Sequence, residues 1–348
     1  MKKCISFYPL LTFFISALII ASGYAQGLII DHNCVAITKI PQTWIETAKS
    51  SLHIAYGHTS HGSQITDGMS GLVAFANGGG KSLALPEDIF AWNNGGTDGA
   101  LDLHDYAMGG DVGYYPDWIN NTRSYLGDPD STTGRGANNP DVNVIMWSWC
   151  GQVGDKYFYG TLNSEYIEPM TQLELDYPGI TFIYMTGHAD INDDEDNKAA
   201  NQIIRDYCIN NDKVLYDFND IECYDPDGTY YEFVHDNCNY YASDGTLLGN
   251  WATEWQAAHT ENVDWYTCGA QHSQPLNANQ KAYAAWWMWA CLAGWEPVTS
   301  GNMTNVSVQP SKFRLEQNYP NPFNPNTIIT YTCLLYTSDA ADEEDSVD

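Results

Sequence analysis

The chain has 348 residues and is strongly acidic, with 44 Asp and Glu against 14 Lys and Arg and a formal charge of −30. Hydrophobic residues make up 44% and aromatics 14%, ample apolar surface for a core, which excludes intrinsic disorder. The charge also argues against a nucleic-acid binder and disfavours anionic membranes, because phosphates are repelled and no basic stretch offsets this; neutral partners such as sugars or small esters fit better.

The N-terminus carries Lys2 and Lys3, an apolar run from Phe7 to Ile20, and the small-residue stretch Ala21-Ser22-Gly23-Tyr24-Ala25. This is the pattern of a secretory signal peptide over residues 1–25, and it predicts a secreted or cell-surface protein. Residues 26–296 follow as one body without internal repeats. Its first strand is expected at Leu52 to Tyr56, followed by Gly57-His58-Thr59-Ser60-His61-Gly62 and a helix over Ser63 to Ala76. A serine on a strand-to-helix turn presents its hydroxyl above the sheet, with helix N–H groups aimed at a developing oxyanion. The bland alternative is an N-cap by Ser60 or Thr59.

Val142 to Trp147 reads as a buried strand and ends in Ser148-Trp149-Cys150-Gly151-Gln152. Gln152 can donate an amide N–H into the same cavity. Cys150 has no basic sequence neighbour to lower its pKa and reads as a packed thiol. A helix is expected over Asn163 to Leu175, with Pro169 in a first turn or at a kink. Ile180 to Met185 is a further apolar strand and leads into Thr186-Gly187-His188-Ala189-Asp190, where His188 is a base, a contact or a loop residue.

The acidic run Asp190 to Asp196 precedes a helix over Glu195 to Ile209. Negative charge there suits helix donors, with calcium near Asp193 as the alternative. Val214 to Phe218 is the next strand. Asp225-Pro226-Asp227-Gly228 reads as an Asx turn rather than a calcium loop. A helix over Asn250 to His259 has Asn250 as its cap. Cys268-Gly269-Ala270-Gln271-His272-Ser273 then stands just before a closing apolar helix over Ala278 to Ala293, stopped by Gly294.

Apolar strands separated by helices predict a three-layer α/β/α sandwich with a mostly parallel, doubly wound sheet. In such folds ligands sit at the carboxyl ends of the strands, which is where Ser60, Gln152 and His188 fall. His272 in the late loop can reach Ser60 as a general base. His58, His61, His188 and Asp190 are an alternative metal set. Trp149, Trp251 and Trp255 are candidate cleft walls for sugar rings. Of the seven cysteines in the body, Cys223 and Cys238 are the favoured disulfide pair in an oxidising compartment. No CxxC pair exists, so no structural zinc is expected.

The order of Ser after the first strand, an amide after a middle strand and His before the last helix resembles the SGNH (GDSL-like) hydrolase superfamily. His58-Thr59-Ser60-His61-Gly62, with Ile65 and Gly68, is similar to its secreted His-x-Ser-x-Gly variant. The resemblance covers most of residues 50–296. It implies a flavodoxin-like fold and no cofactor, with Ser60 as nucleophile and His272 as base. The oxyanion hole would be formed by Gly110, with Gly95-Gly96 as the alternative, and by Gln152 in place of the family's Asn. The family places an Asp three residues before the base, and here that position is Gly269. Either a backbone carbonyl or Asp264 orients the base, or the scaffold is inactive and binds glycans. The implied substrate is a small ester or acyl groups on polysaccharide.

Beyond a linker over residues 297–312, FRLEQNYPNPFNPNTIITYT at 313–332 resembles the start of the C-terminal sorting domain of the type IX secretion system. It implies the type IX machinery as a partner. Residues 333–348 read as a translated sequencing adapter and are set apart from the fold.

Overall fold

The structure is a computed structural model that describes residues 27–297 and two short strands, residues 314–315 and 331–332. The signal-peptide, linker and adapter readings, and most of the sorting-domain segment, lie outside the described residues. The chain divides into two compact units, residues 1–295 and 296–348.

In chain order the first unit contains β1 (Ile29–Ile30), α1 (Gln42–Ser51), β2 (His53–Gly57), α2 (Ser63–Asn77), β3 (Trp92–Asn93), β4 (Leu101–Met108), α3 (Asp117–Leu126) and β5 (Val144–Trp147). It continues with α4 (Val153–Phe158), α5 (Glu168–Asp176), β6 (Thr181–Met185), α6 (Asp194–Asn210), β7 (Val214–Tyr216) and α7 (Phe218–Glu222). The hairpin β8 (Asn239–Tyr241) and β9 (Leu247–Asn250), then α8 (Trp251–Ala258) and α9 (Pro275–Leu292), complete it. In the second unit β10 (Arg314–Leu315) pairs antiparallel with β11 (Tyr331–Thr332).

The main sheet has seven strands in the order β1-β7-β6-β5-β2-β4-β3, every pair parallel. It is the expected three-layer α/β/α sandwich. The central strands are buried on both faces: Ile54 to Tyr56, Val144 to Trp147 and Phe182 to Met185 are all core. That is why they read as unbroken apolar runs. The chain leaves β2 toward β4 on one side and leaves β5 toward β6 on the other. The neighbours β2 and β5 therefore form the topological switch point, where a crevice opens at the carboxyl ends.

Helix α2 packs on α9 at very close range. A Cβ on Gly68 would fall 2.1 Å from the Ala278 carbonyl oxygen, so only glycine fits. This contact brings the start of α9, and the loop before it, over the start of α2. Pro169 sits in the first turn of α5, after a π-helical turn at 163–167. Asn250 caps α8 by accepting from Thr253 N at 3.0 Å. Gly294 adopts φ 110° just beyond α9.

Several expectations are corrected. Cys223 and Cys238 are both buried free thiols, as are Cys34 and Cys208. Cys223 and Cys238 join Ala189, Val234, Trp251, Trp255 and Leu276 in a satellite core beneath the β8–β9 hairpin, where apolar packing replaces a cross-link. The three candidate cleft tryptophans are buried. Trp149 donates Nε1–H to the Met185 carbonyl at 3.0 Å and packs edge-on against Tyr166. Trp255 donates to Asp227 at 2.9 Å and stacks on His259. Asp225 forms its Asx turn, accepting from Asp227 N and Thr229 N.

Candidate active site

The turn after β2 puts Ser60, half-buried, at the mouth of the switch-point crevice. The turn is braced from both sides. His58 is buried; Nδ1 faces the Thr59 carbonyl at 2.8 Å and Nε2 faces Asp105 Oδ1 at 2.7 Å. Its ring lies between Tyr56 and Tyr106. Both nitrogens are therefore committed, and His58 holds the turn rather than facing the serine. The Thr59 hydroxyl donates to Asp111 Oδ2 at 3.0 Å, tying the turn to the loop after β4.

His272 lies in the loop ahead of α9, 212 residues away in sequence. Its Nε2 is 2.9 Å from Ser60 Oγ. The ring is exposed, and the residue adopts a left-handed φ of 65°. Such a backbone costs about 1 kcal/mol or more for a residue with a Cβ, so its surroundings must impose it. They do so through Gln64 of α2, which donates Nε2–H to the Gln271 carbonyl at 2.5 Å. Ser273 N bonds back to Ala270 O at 2.8 Å, and Asn277 holds the Ser273 hydroxyl at 2.8 Å.

Gln64 is itself held by a buried ion pair. Lys281 of α9 donates to Gln64 Oε1 and to Glu222 Oε1, the latter at 2.5 Å. Glu222 also accepts from Ala189 N at 2.7 Å, which anchors the loop after β6. Burial drives the Lys281 pKa down, and Glu222 opposes that shift. One buried network thus positions the loops of Ser60, His188 and His272 together. Gln64, Glu222 and Lys281 gave no motif; two lie within helices that read simply as apolar.

No carboxylate hydrogen-bonds His272 among the described residues. Asp264 accepts from Thr260 N at 2.9 Å within its own turn and makes no hydrogen bond to His272. At position 269 a Cβ would lie 2.5 Å from Asp67 Oδ2, so the space is filled by a carboxylate from α2.

Gly110 follows the carboxyl end of β4, is exposed and takes φ 88°. Gly95 and Gly96 lie before β4, at the opposite end of the strand, with Gly95 N bonded to Asp102. Gln152 turns its amide oxygen back on its own loop, accepting from Cys150 N at 3.3 Å and Gly151 N at 3.0 Å. That leaves its amide nitrogen without a protein partner among the described residues and available to donate.

Cys150 differs from the sequence reading. His61 Nδ1 stands 3.3 Å from its Sγ, and Ser60 Oγ is 3.5 Å from it. The basic neighbour comes from another strand end, so the local sequence hid it. The hydrogen bond from His61 lowers the Cys150 pKa to about 7, against the opposing effect of partial burial. Burial alone would lower His61, but its bonds to Asp236 and Cys150 prevail and carry it up to about 9.

His61 Nε2 is 3.0 Å from Asp236 Oδ2, and Asp236 also bonds His235. His188 stacks on the other face of the His61 ring at 4.0 Å, and His272 stacks on His61 at 4.4 Å. Burial and the cationic His61 hold His188 low and neutral. Its Nδ1–H donates to the Ala189 carbonyl at 2.9 Å. Asp190 instead caps a short turn by accepting from Asn192 N at 2.9 Å.

Donor atoms of His61, His188 and Asp236 lie within 4.8 Å of one another. The two rings are parallel within 5°, however, so their in-plane lone pairs run side by side and do not converge on one ion. The proposed metal set is also dispersed, because His58 is committed to Asp105 and Asp190 to its own turn.

A cleft beside α6, lined by Asp190, Lys198, Arg205 and Tyr230, does not include Ser60, Cys150 or His272. No family model matches this chain, and neither the curated proteins nor the solved structures return a match.

Proposed function

We propose that residues 27–297 form an ester hydrolase with Ser60 as nucleophile and His272 as general base. The observation that carries this reading is the 2.9 Å separation of Ser60 Oγ and His272 Nε2 across 212 residues of chain, at a topological switch point. Ser60 Oγ adds to the acyl carbonyl while its proton passes to Nε2. The resulting oxyanion is met by the Ser60 N–H, the Gly110 N–H and the amide of Gln152. The imidazolium then protonates the departing alkoxide. A water deprotonated by the same nitrogen releases the acid.

The excess of carboxylates, 44 against 14 bases, repels anionic substrates and favours neutral ones, such as acyl groups on an uncharged polysaccharide. The N-terminal apolar run and the 313–332 segment support export through the type IX route. A second reading is a glycan-binding scaffold that has lost catalysis. It is favoured by one feature, the absence of an acid partner on His272 among the described residues.

A fluorophosphonate probe separates the two. The hydrolase reading expects covalent labelling of the wild type, mapped to Ser60, and none in Ser60→Ala. An unlabelled wild type that still binds a soluble polysaccharide would establish the binding module instead.

A further inference from the structure

A second set of reactive groups stands beside Ser60, with Cys150 Sγ 3.5 Å from Ser60 Oγ. Cys150 Sγ, His61 and Asp236 stand in line, with 3.3 Å from sulfur to Nδ1 and 3.0 Å from Nε2 to the carboxylate. We propose that Cys150, His61 and Asp236 form a second nucleophilic centre that accepts an acyl group from an activated ester or thioester, independently of Ser60.

The order is nucleophile, imidazole, carboxylate, and each ring nitrogen of His61 has one partner. Asp236 fixes the ring through Nε2 and leaves Nδ1 for the sulfur. Among the described residues the His272 ring has no such carboxylate, so this is the better-oriented imidazole of the two. The carboxylate is itself fixed, because its other oxygen bonds His235, whose Nε2 lies 2.9 Å from the Asn192 amide nitrogen. Cys150 is half-buried and can be reached from solvent, whereas Cys34, Cys208, Cys223, Cys238 and Cys291 are buried. Cys268, also half-buried, is pushed up to about 12 by burial.

The charges around the pair act in one direction. The hydrogen bond and positive charge of His61 favour the sulfur's anion. Glu222 and Asp236 favour the cation on His61. The stacked His188 is neutral and His272 faces Ser60, so the rings beside His61 do not displace its charge onto another group. A thiolate and an imidazolium therefore face each other near neutral pH.

In the step, the thiolate adds to the carbonyl carbon and the carbonyl electron pair moves to oxygen. On collapse a C–S bond remains, the bond to the leaving alkoxide or thiolate breaks, and the His61 proton goes to that leaving group. Water then adds to the S-acyl carbon while His61 takes one of its protons. The acid departs, and the thiolate and imidazolium are restored.

The test uses Ser60→Ala with p-nitrophenyl acetate, so that Ser60 contributes nothing. We expect one acetyl group per chain, mapped by mass spectrometry to Cys150 and released by hydroxylamine at neutral pH, as a thioester is. Alkylation by iodoacetamide should reach half its limiting rate near pH 7. His61→Gln should move that midpoint to the ordinary thiol range near 8.5 and slow alkylation at pH 7 about tenfold.

Asp236→Asn, which keeps the shape of the carboxylate, should shift the midpoint the same way, and it substitutes for His61→Gln if that variant does not fold. Acetyl on another residue, no adduct in a Ser60→Ala chain with native thermal unfolding, or a midpoint unmoved by these substitutions would each overturn the proposal. Fluorophosphonate labelling of Ser60 in Cys150→Ala reports on the hydrolase reading alone, so the two fail separately.

Discussion

Ser60 Oγ and Cys150 Sγ lie 3.5 Å apart, one from the turn after β2 and the other from the turn after β5. A hydroxyl and a thiol thus stand side by side, each beside its own imidazole. The two imidazoles stack on each other at 4.4 Å. The division of labour can be probed because each pair rests on different supports.

The left-handed backbone of His272 separates catalysis from stability. His272→Gly removes the proposed base and at the same time relaxes the φ of 65°. Ester hydrolysis should fall by about 10²- to 10⁴-fold, while unfolding free energy stays within about 1 kcal/mol of wild type. Paired kinetics and urea unfolding check this. A large loss of stability would mean that the ring, and not its chemistry, is what the loop requires.

Position 269 offers a test of the missing acid. Gly269→Asp alone brings a Cβ to within 2.5 Å of Asp67 Oδ2 and sets two carboxylates together. It should cost about 1–3 kcal/mol of stability and give no gain in rate. Combined with Asp67→Ala, the new side chain has room. The double variant should regain stability and raise kcat at least about tenfold by orienting His272. Thermal unfolding and steady-state kinetics on both variants decide it.

Lys281 and Glu222 are almost wholly removed from solvent, with side chains 0% and 1% exposed. Glu222→Gln leaves a buried ammonium uncompensated and should cost about 3–5 kcal/mol. Adding Lys281→Met should recover most of that loss. If the double variant is as unstable as the single one, the pair is not what holds α7 and α9 together.

Asp236 is held below the usual carboxylate range. Burial alone would raise it, but hydrogen bonds from His235 and His61 outweigh that. A depressed carboxyl contributes stability that is complete above its unfolded value near 3.9 and is lost as pH falls through its folded value. Asp236→Asn should therefore flatten the acid limb of the unfolding free energy below about pH 4. Urea titrations from neutral to acid pH on both proteins measure it; an unchanged slope would remove Asp236 from the acid response.

The sheet was legible because its central strands are buried on both faces. VNVIMW and ITFIYM could be little else. Strand β4 was missed because Leu101–Met108 interleaves Asp102, His104 and Asp105 with its apolar residues, and the edge strands were missed because two residues give no pattern.

The pairing of Ser60 with His272 follows from topology once the fold is known. The Cys150–His61–Asp236 line does not. Asp236 arrives on the segment between α7 and β8, in a stretch with no motif, and it meets His61 only because the satellite core around Cys238 and Trp251 holds that segment against the strand ends. A neighbour in space with no neighbour in sequence is what the reading of Cys150 as a packed thiol lacked.

The sheet ends on both borders in strands of only two residues, Ile29–Ile30 and Trp92–Asn93. A foreign strand would find almost no ladder of open amides to copy there. Chains crowded together at high concentration therefore have little to zip along, and the parallel core is shielded from growth into fibrils by the brevity of its own margins.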